Sequence, residues 1–515
     1  MKQQQTYYRP EWTCGRYNPD ADVALMYNLI EGKSFFFESY SAQVIAQILT
    51  AGRNGRIDIE AIADAISIPT QSILDFIESD LISAGLVANR RLSKDEIRAI
   101  RRKWSVVNKK ESQHYNLSTA KEEQMLDSQT AEIEYGKRLD IHTQVQSVQL
   151  ELTYRCSEKC IHCYNLGATR NDNEENRRGR LKEMSLGDYK RLIDALDAAG
   201  CYKVCLTGGD PFSKPIVWDI IDYLYQKEIA FDIFTNGQAI AADAERLIDY
   251  YPRFVGISIY SGIPEIHDSI TRIKGSFERS MKVAETLSEY GVPMSFKCVV
   301  MKPNLKSYHL VKDLARQYGA VLQIEANLCM GTDGDMSMIN HLRLSREEFE
   351  VLLRDKDIPL YVGLGMENVG KIPKPADAFP CGGGRGSYTI MPDGNMVICS
   401  NLHWIFGNVT KQSITDILHS PVLKEWQELN IGKIEGCGTK PECDYCNLCS
   451  GNNYNEYGVL TKPSAVNCFM ADVRYGLMQK LKRGEDTLHG LSVSDRLAKM
   501  ADDYVAEFGK EIIKH

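Results

Sequence analysis

The sequence predicts an α/β protein whose central unit is a parallel sheet, with a smaller unit before it and a cysteine-rich unit after it. From residue 148 onward, short β-rich runs alternate with helical patterns of about ten to fifteen residues, which is typical of repeated βα units. The first hundred residues show a different order, in which two strand-like runs precede three helical ones. The last third contains seven cysteines at short spacing. These three patterns define three units.

The central unit is predicted to contain six strands and five amphipathic helices. We expect the strands at residues 148–152, 203–206, 231–234, 254–259, 295–300 and 321–325. The intervening helices are expected at residues 186–199, 216–226, 242–249, 277–290 and 305–318. In barrels of such units, chemistry lies on the loops that follow the strands, so these loops are the places to search for functional residues.

The loop after the first strand contains Cys156, Cys160 and Cys163 in a CxxxCxxC pattern. Three thiolates can hold three irons of a [4Fe-4S] cube and leave the fourth iron for a small molecule, for which S-adenosylmethionine is the candidate. The pattern resembles the radical SAM superfamily, and that resemblance implies an open (β/α)6 partial barrel. A zinc site or three unrelated buried thiols are the alternatives, although zinc sites favour paired CxxC hooks.

The loop after the second strand, residues 207–211, contains Gly208, Gly209, Asp210 and Pro211. A glycine pair exposes backbone amides and carbonyls, and a proline makes the loop rigid, so the loop can grip the amino and carboxylate ends of an amino-acid cofactor. It resembles the GGEP motif of the superfamily, with aspartate in place of the usual glutamate. Taken alone, the same residues are typical of an ordinary turn.

The resemblance implies four further contacts to the cofactor. Asn236 and Ser258 match polar positions that contact its ribose and methionine portions, Arg272 matches an arginine that approaches its carboxylate, and His162 matches a position near its adenine. For Arg272 a solvated loop side chain is an equal alternative. Glu325 is a candidate base because it lies near the end of a predicted strand.

The second cysteine group resembles a SPASM domain with two auxiliary [4Fe-4S] clusters, which brings the implied total to three clusters. The hairpin that presents its second thiolate has an Asp-Gly turn at residues 393–394. The usual central spacing is CxxCx5CxxxC, whereas this chain has Cx5CxxCxxC, so the assignment by order is a hypothesis. The seven cysteines are Cys381, Cys399, Cys437, Cys443, Cys446, Cys449 and Cys468.

By order, Cys381, Cys399 and Cys449 serve a cluster near the barrel, and the other four serve a distal cluster. The near cluster then has three thiolates. Its fourth iron is open, and able to bind a substrate thiolate, or it takes a ligand from water or another side chain. Four cysteines in or beside strands are interpreted as buried small hydrophobic residues, namely Cys201, Cys205, Cys298 and Cys329.

The first unit is predicted to have strands at residues 22–30 and 34–37, followed by helices at 42–49, 59–65 and 70–83. This order resembles the RiPP recognition element, a winged-helix-like domain that binds the leader of a ribosomally made precursor peptide by β-augmentation. The acidic third helix argues against DNA binding, and a docking or dimerisation domain is the other alternative. The implied peptide-binding residues are Ser34, Phe35, Phe36, Phe37 and Glu38.

The predicted domains follow from these units. They are a winged-helix-like recognition element at 1–90, a charged linker at 91–144, a radical SAM partial barrel at 145–340, a bridging segment at 341–380, a SPASM domain at 381–481 and a helical tail at 482–515. A basic stretch at residues 98–103 of the linker either holds an acidic peptide or is a solvated face.

Composition limits the function classes. The 515 residues are 43% hydrophobic and have a formal net charge of −8, which gives no electrostatic footprint for nucleic acid. No apolar run reaches the length of a membrane span, and the first residues lack the apolar core of a signal peptide, so a cytoplasmic protein is expected. Fifteen cysteines in a reducing compartment favour metal ligation over disulfides.

The resemblance implies a radical SAM enzyme that removes hydrogen from a precursor peptide and forms a thioether, carbon–carbon or carbon–oxygen crosslink. It also implies an electron donor such as flavodoxin or ferredoxin. One alternative is a sulfatase-maturase-like enzyme that makes formylglycine, but those relatives carry an aspartate where this chain has Ser400. Another is a non-catalytic peptide-binding escort with structural or electron-carrying clusters.

Overall fold

The computed structural model describes residues 5–114, 130–165, 183–329, 337–353 and 375–485. The helical tail predicted at 482–515 lies almost entirely outside these ranges. Among the described residues, no helix is long and apolar enough to cross a membrane.

The N-terminal unit is a three-stranded antiparallel sheet with helices packed on it. The central strand β3 is buried at every position, and α1 covers the sheet. A short strand pair, β1 with β5, closes the unit. The strands are β1 Tyr7–Tyr8, β2 Thr13–Asn18, β3 Val23–Asn28, β4 Lys33–Glu38 and β5 Arg56–Ile57, and the helices are α1 Tyr40–Thr50, α2 Ile59–Ile66 and α3 Thr70–Phe76.

The prediction of a two-stranded hairpin in this unit is incomplete. Strands β3 and β4 form that hairpin, with Val23 opposite Glu38, and β2 adds a third strand on the other side of β3. The sequence of β2, Thr-Cys-Gly-Arg-Tyr-Asn, contains a glycine and polar residues without a clear alternation. It therefore gives little strand signal, and its pairing with β3 depends on tertiary contacts.

The described parts of the linker, residues 91–114 and 130–144, are mainly helical and pack on the central unit. Helix α4 spans Lys94–His114, and a second helical segment covers residues 130–137. Within the basic stretch, Arg98 pairs with Asp249 at 3.2 Å, and the fully buried Arg101 lies 4.8 Å from the ring centroid of Tyr251. Arg98 and Arg101 therefore pack on the side of the barrel, whereas Arg102 and Lys103 of the same stretch are exposed. A peptide-binding role for these exposed residues stays a prediction.

The six predicted parallel strands are confirmed, and they lie side by side in chain order. They are β6 Ser147–Thr153, β7 Lys203–Gly208, β8 Ala230–Thr235, β9 Phe254–Ser258, β10 Met294–Val299 and β11 Val321–Glu325. The helices beside them are α5 Leu186–Ala198, α6 Val217–Gln226, α7 Pro264–Thr271, α8 Ser276–Glu289 and α9 Tyr308–Tyr318. The segment predicted as a helix at 242–249 is a 3-10 helix at Ala244–Tyr250, and α7 was not predicted.

Three strands from the C-terminal part extend the same sheet. Strand β12, Ser387–Ile390, pairs in parallel with β6, placing Tyr388 opposite Val148. Strands β13, Asn395–Cys399, and β14, Leu402–Asn408, follow as antiparallel neighbours. The result is one nine-stranded sheet in which β6 lies between β7 and β12.

Short helices complete the C-terminal part. The described helices are α10 Ser337–Leu342, α11 Arg346–Leu353, α12 Ile414–Leu418, α13 Pro421–Gln427, α14 Ser450–Tyr457 and α15 Ala465–Lys482. One continuous hydrophobic core runs from the barrel into this part, because Tyr388, Ile398 and Trp426 belong to the same buried cluster as Leu150.

Candidate metal centres

The loop that follows β6 contains Cys156, Cys160 and Cys163, and we call residues 156–163 the cysteine loop. The backbone holds its shape, since the amide of Cys163 donates to the carbonyl oxygen of Cys160 at 3.1 Å. The loop is also tied to the end of α7, because the amide of Lys159 donates to the carbonyl oxygen of Thr271 at 2.9 Å. The three thiols are thus positioned mainly by main-chain contacts.

The thiols of this loop are in surroundings that suit iron. Burial raises the pKa of Cys156 to about 12, and burial with the neighbouring acids and thiols raises the pKa of Cys160 well above its usual value. Bound iron favours the thiolate directly, which offsets that cost. The Cys156 sulfur already accepts hydrogen bonds from the Asn236 side-chain amide at 3.2 Å and from the Glu158 backbone at 3.4 Å. These residues fit a cluster held by three thiolates.

Residues 207–211, which we call the glycine loop, pack closely against the chain just before the cysteine loop. Gly208 has φ of +129°, and a Cβ on Gly208 or Gly209 would overlap the carbonyl oxygen of Thr153 or Arg155, respectively. The amide of Gly209 donates to Thr153 at 2.7 Å, and that of Asp210 to Arg155 at 2.9 Å. These two amides are therefore engaged by protein, contrary to the expectation that the loop exposes them. Its carbonyl groups remain the candidate cofactor contacts.

The side chain of Asp210 joins neighbouring loops. It is fully buried and accepts hydrogen bonds from the Thr235 hydroxyl at 2.6 Å and from the backbone amides of Phe212 and Asn236, each at 2.9 Å. These hydrogen bonds hold the loop in place, and the assignment of Asp210 to the cofactor site stays a prediction. Pro211 begins the 3-10 helix that follows, Pro211–Ser213.

The structure brings three other predicted cofactor residues together beside the cysteine loop. The rings of His162 and Tyr260 meet edge to face at 4.6 Å, and Ser258 hydrogen-bonds Tyr260. Arg272 caps α7 in the left-handed region at φ 58°, and its buried Nε atom has no partner among the described residues. An unpaired guanidinium nitrogen beside the cysteine loop suits the carboxylate of an amino-acid cofactor.

The three cysteines assigned to the near cluster come from separate elements. Cys381 precedes β12, Cys399 ends β13, and Cys449 precedes α14. Cys381 and Cys399 both lie close to Cys449, which raises the pKa of each of the two thiols. The sulfur of Cys449 also accepts a hydrogen bond from the Asn401 side chain at 3.2 Å.

The four remaining SPASM-like cysteines lie in the outer part of the C-terminal domain. The thiols of Cys443 and Cys468 are close enough that the first raises the pKa of the second. The sulfur of Cys446 lies 4.0 Å from the carbonyl oxygen of Asn467, and the sulfur of Cys443 lies 4.0 Å from that of Gly436, next to Cys437. Within the described ranges, no three potential ligands surround a single-ion site; the thiolates of a cube instead bind separate irons.

One buried carboxylate was missed by sequence reasoning. Glu151 in β6 is 1% exposed, and its carboxylate lies beside the side chains of Ser400 and Tyr154. Burial raises its pKa to about 7. It lies in an apolar strand and belongs to no motif, so no sequence pattern singles it out. Glu325, which the sequence suggested as a base, instead accepts the backbone amides of Ala326 and Asn327 at 2.8 and 2.7 Å.

The residues predicted to bind peptide all lie on β4, at one edge of the N-terminal sheet. Among the described strands β4 pairs only with β3, so its other edge is open. The ring of Phe37 lies 6.1 Å from that of Phe76, edge to face, which brings α3 close to β4. Phe35 packs on the same core as Phe37, and Phe36 packs on the core shared with the linker. Ser34 is buried, and Glu38 pairs with Arg138 at 3.7 Å.

Comparison with known families identifies the two cysteine regions. The sequence profile of the Radical SAM superfamily matches residues 150–314, and that of the SPASM iron-sulfur cluster-binding domain matches residues 381–450. The chain contains a radical SAM domain followed by a SPASM domain. It uses iron-sulfur clusters and S-adenosylmethionine. The first match includes Cys156, Cys160 and Cys163, and the second begins at Cys381 and ends just after Cys449, so that Cys468 lies beyond it.

Relatives and one solved structure agree with this assignment. The enzyme is 27% identical over 340 residues to the antilisterial bacteriocin subtilosin biosynthesis protein AlbA of Bacillus subtilis, covering 62% of this chain and 72% of that protein. It is 26% identical over 310 residues to the mycofactocin maturase MftC of Mycolicibacterium smegmatis, covering 57% and 75%. The crystal structure of Streptococcus suis SuiB aligns with a TM-score of 0.50 at 13% identity, covering 89% and 99%, which shows the shared fold.

Proposed function

We propose that the enzyme modifies a ribosomally made precursor peptide by removing hydrogen from it and closing a thioether, carbon–carbon or carbon–oxygen crosslink within it. The observation that carries the proposal is the open edge of β4 beside α3, on the same chain as a radical SAM barrel. The printed names of AlbA and MftC, a bacteriocin biosynthesis protein and a maturase, support the same class of reaction.

The proposed cofactors are three [4Fe-4S] clusters and S-adenosylmethionine. Cys156, Cys160 and Cys163 hold the first cluster, and Arg272 binds the carboxylate of the cofactor beside it. When bound and reduced, these groups supply a carbon radical that takes a hydrogen atom from the peptide. Asn236 donates to the Cys156 sulfur and so favours its anionic form. A flavodoxin or ferredoxin is the proposed electron donor.

The N-terminal unit delivers the peptide. The opposite edge of its sheet, β2, faces the barrel, since Arg16 pairs with Asp197 at 2.9 Å and the buried Arg9 pairs with Glu228. This anchors the unit and leaves β4 as the edge to which a leader strand adds, with α3 as the opposite wall of the groove. Tethering the leader there raises the effective concentration of the reacting segment at the barrel.

Glu151 is the proposed proton acceptor within the barrel. Its carboxylate lies beside Ser400, the residue after Cys399, where sulfatase-maturase-like relatives place an aspartate. A carboxylate is thus supplied to this point from β6 rather than from the cysteine hairpin. Its pKa of about 7 suits a group that takes up a proton near neutral pH.

The direct test uses a candidate precursor peptide encoded beside the gene. The enzyme is reconstituted with iron and sulfide without air, reduced, and incubated with S-adenosylmethionine and the peptide. We expect 5′-deoxyadenosine together with a peptide lighter by two hydrogen atoms per crosslink, located by fragmentation. An aldehyde at a cysteine or serine would instead indicate formylglycine formation, and cofactor cleavage with an unchanged peptide would reject that peptide as substrate.

A second test addresses the groove. Phe37→Ala removes a ring that packs between β4 and α3, and we expect the affinity for a fluorescent leader peptide to fall by about fivefold. Phe469→Ala, which removes an exposed ring from the C-terminal domain, is the matched control. Equal affinities for the two variants, with unchanged circular dichroism, would exclude this groove as the leader site.

A further inference from the structure

Five cysteines lie outside the ten assigned to clusters, and four of them have ordinary surroundings. Cys14 is buried in the N-terminal unit and Cys205 lies within β7. The thiol of Cys201 donates to the carbonyl oxygen of Lys203 at 3.3 Å, and that of Cys298 to Tyr260 at 3.6 Å. These thiols behave as buried small side chains. The fifth, Cys329, is in the loop that follows β11, the last of the six parallel strands.

A chain of hydrogen bonds connects the loop that contains Cys329 to the near cluster site. The side-chain oxygen of Asn327 accepts a hydrogen bond from Asn452 at 3.0 Å, and the oxygen of Asn452 accepts one from Asn401 at 3.0 Å. Asn401 in turn donates to the Cys449 sulfur at 3.2 Å. Three asparagines therefore connect the loop to a cluster ligand, and Asn452 is 2% exposed.

The thiol of Cys329 is buried near the thiols of that site, since Cys449 and Cys399 are both close enough to interact electrostatically with it, as is Arg343. Arg343 also donates to the carbonyl oxygen of Leu328 at 2.9 Å, which fixes the backbone just before the cysteine. Within the described ranges the thiol makes one hydrogen bond, to the carbonyl oxygen of Asn327 at 4.0 Å, which lies at the outer limit for sulfur.

We propose that Cys329 is the fourth thiolate ligand of the near cluster, completing the set of Cys381, Cys399 and Cys449. The seven-cysteine SPASM-like order leaves this cluster one ligand short, and the barrel supplies the missing one from 52 residues before Cys381. A cluster with four thiolates has no iron open to a substrate thiolate, so its role in the proposed reaction is electron transfer. The interpretation of Cys329 as a buried hydrophobic residue is thereby replaced.

The test measures the cluster and not the turnover of peptide. In a background where Cys156, Cys160 and Cys163 are alanine, only the auxiliary clusters remain. Cys329→Ala in that background should lose about one iron per chain on mild oxidation and gain the electron paramagnetic resonance signal of a [3Fe-4S] cluster. Cys298→Ala, which removes a buried barrel thiol by the same change, is the control and should retain all its iron.

A second readout uses the unaltered enzyme, so it does not depend on a variant that folds. We expect Cys329 and Cys449 to behave alike: both should resist alkylation in the iron-loaded protein and become labelled once the iron is chelated. Labelling of Cys329 in the fully loaded protein would overturn the proposal, and so would identical iron content and spectra in the two variants. Either result would show that the thiol faces the barrel interior without iron. Because peptide is absent throughout, these outcomes are independent of the proposed function.

Discussion

The cysteine loop and the near auxiliary site position their thiols in opposite ways. The cysteine loop places three thiols within eight consecutive residues and holds them by main-chain contacts to α7 and to the glycine loop. The near auxiliary site gathers Cys381, Cys399 and Cys449 from three elements separated by 18 and 50 residues. A local site depends on a few backbone contacts, whereas the assembled site depends on the packing of a whole domain. The two should therefore fail differently when perturbed.

The largest effect is expected from Cys156→Ala. This change removes one of three thiolates from the local site, so 5′-deoxyadenosine formation should fall to the level without enzyme. Cys205→Ala, the same change in the neighbouring strand β7, should leave formation unchanged. Cleavage that persists in Cys156→Ala would mean that the cofactor binds elsewhere and would remove the distinction between the two sites.

Iron removal should affect the assembled sites first. The distal cysteines lie in a segment whose regular structure consists mainly of short 3-10 helices, Ile431–Lys433 and Pro441–Tyr445. Since metal binding there replaces an extended hydrophobic core, chelation should raise amide hydrogen exchange at residues 437–449 by about a hundredfold or more. Exchange in β7 to β10 is the internal control and should stay slow. Equal protection of residues 437–449 with and without iron would contradict the coupling.

A pair of glycine substitutions compares the two sites directly. In Gly209→Ala the new methyl group would overlap the carbonyl oxygen of Arg155, which is backbone and cannot move aside, so we expect a loss of about 3 kcal/mol in the free energy of unfolding. In Gly382→Ala, beside Cys381, the methyl group meets no atom within 4 Å. Thermal unfolding and iron loading should distinguish the two variants. A Gly209→Ala protein as stable as Gly382→Ala would show that the loops are not closely packed.

The smallest effect concerns Glu151, which lies between the two sites. Burial raises its pKa from 4.5 to about 7, so between these values the folded protein keeps a proton that the unfolded chain releases. Stability therefore falls as the pH rises through this range and levels off above it. Glu151→Gln lacks this loss and should gain about 2 kcal/mol over wild type between about pH 5.5 and about pH 8.

Thermal unfolding at several pH values measures this gain. Glu325→Gln, which alters a carboxylate that accepts two backbone amides, is the control with a different pattern of partners. A stability difference between wild type and Glu151→Gln that stays constant with pH would mean that Glu151 is ionised throughout.

The same contrast explains how much could be predicted from the sequence. The six parallel strands and the cysteine loop depend on local patterns, and both were predicted within a few residues. Strand β2 and the pairing of β12 with β6 were missed, because each owes its position to contacts distant in sequence. The sequence of β12 does not indicate which strand it pairs with.

The site shows the same division. The loops of Gly208 and Asn236 were placed correctly beside the cysteine loop, but the partners of the Asp210 side chain could not be foreseen from a motif in which glutamate is usual. Glu151 was overlooked, and Cys329 was interpreted as a buried small side chain, for a related reason. Each is a single residue in an apolar or irregular run, and only the fold brings it to Ser400 or to Cys449.

The pairing of β12 with β6 has a consequence for any attempt to divide the enzyme. A fragment ending at residue 380 would lack β12 and leave β6 as the edge of the barrel sheet, with its main-chain donors and acceptors unpaired and its buried residues Val148, Leu150 and Leu152 partly uncovered. Open edges of this kind template pairing with other chains. The isolated barrel should therefore self-associate, and the radical SAM domain needs β12 of the auxiliary domain to remain soluble.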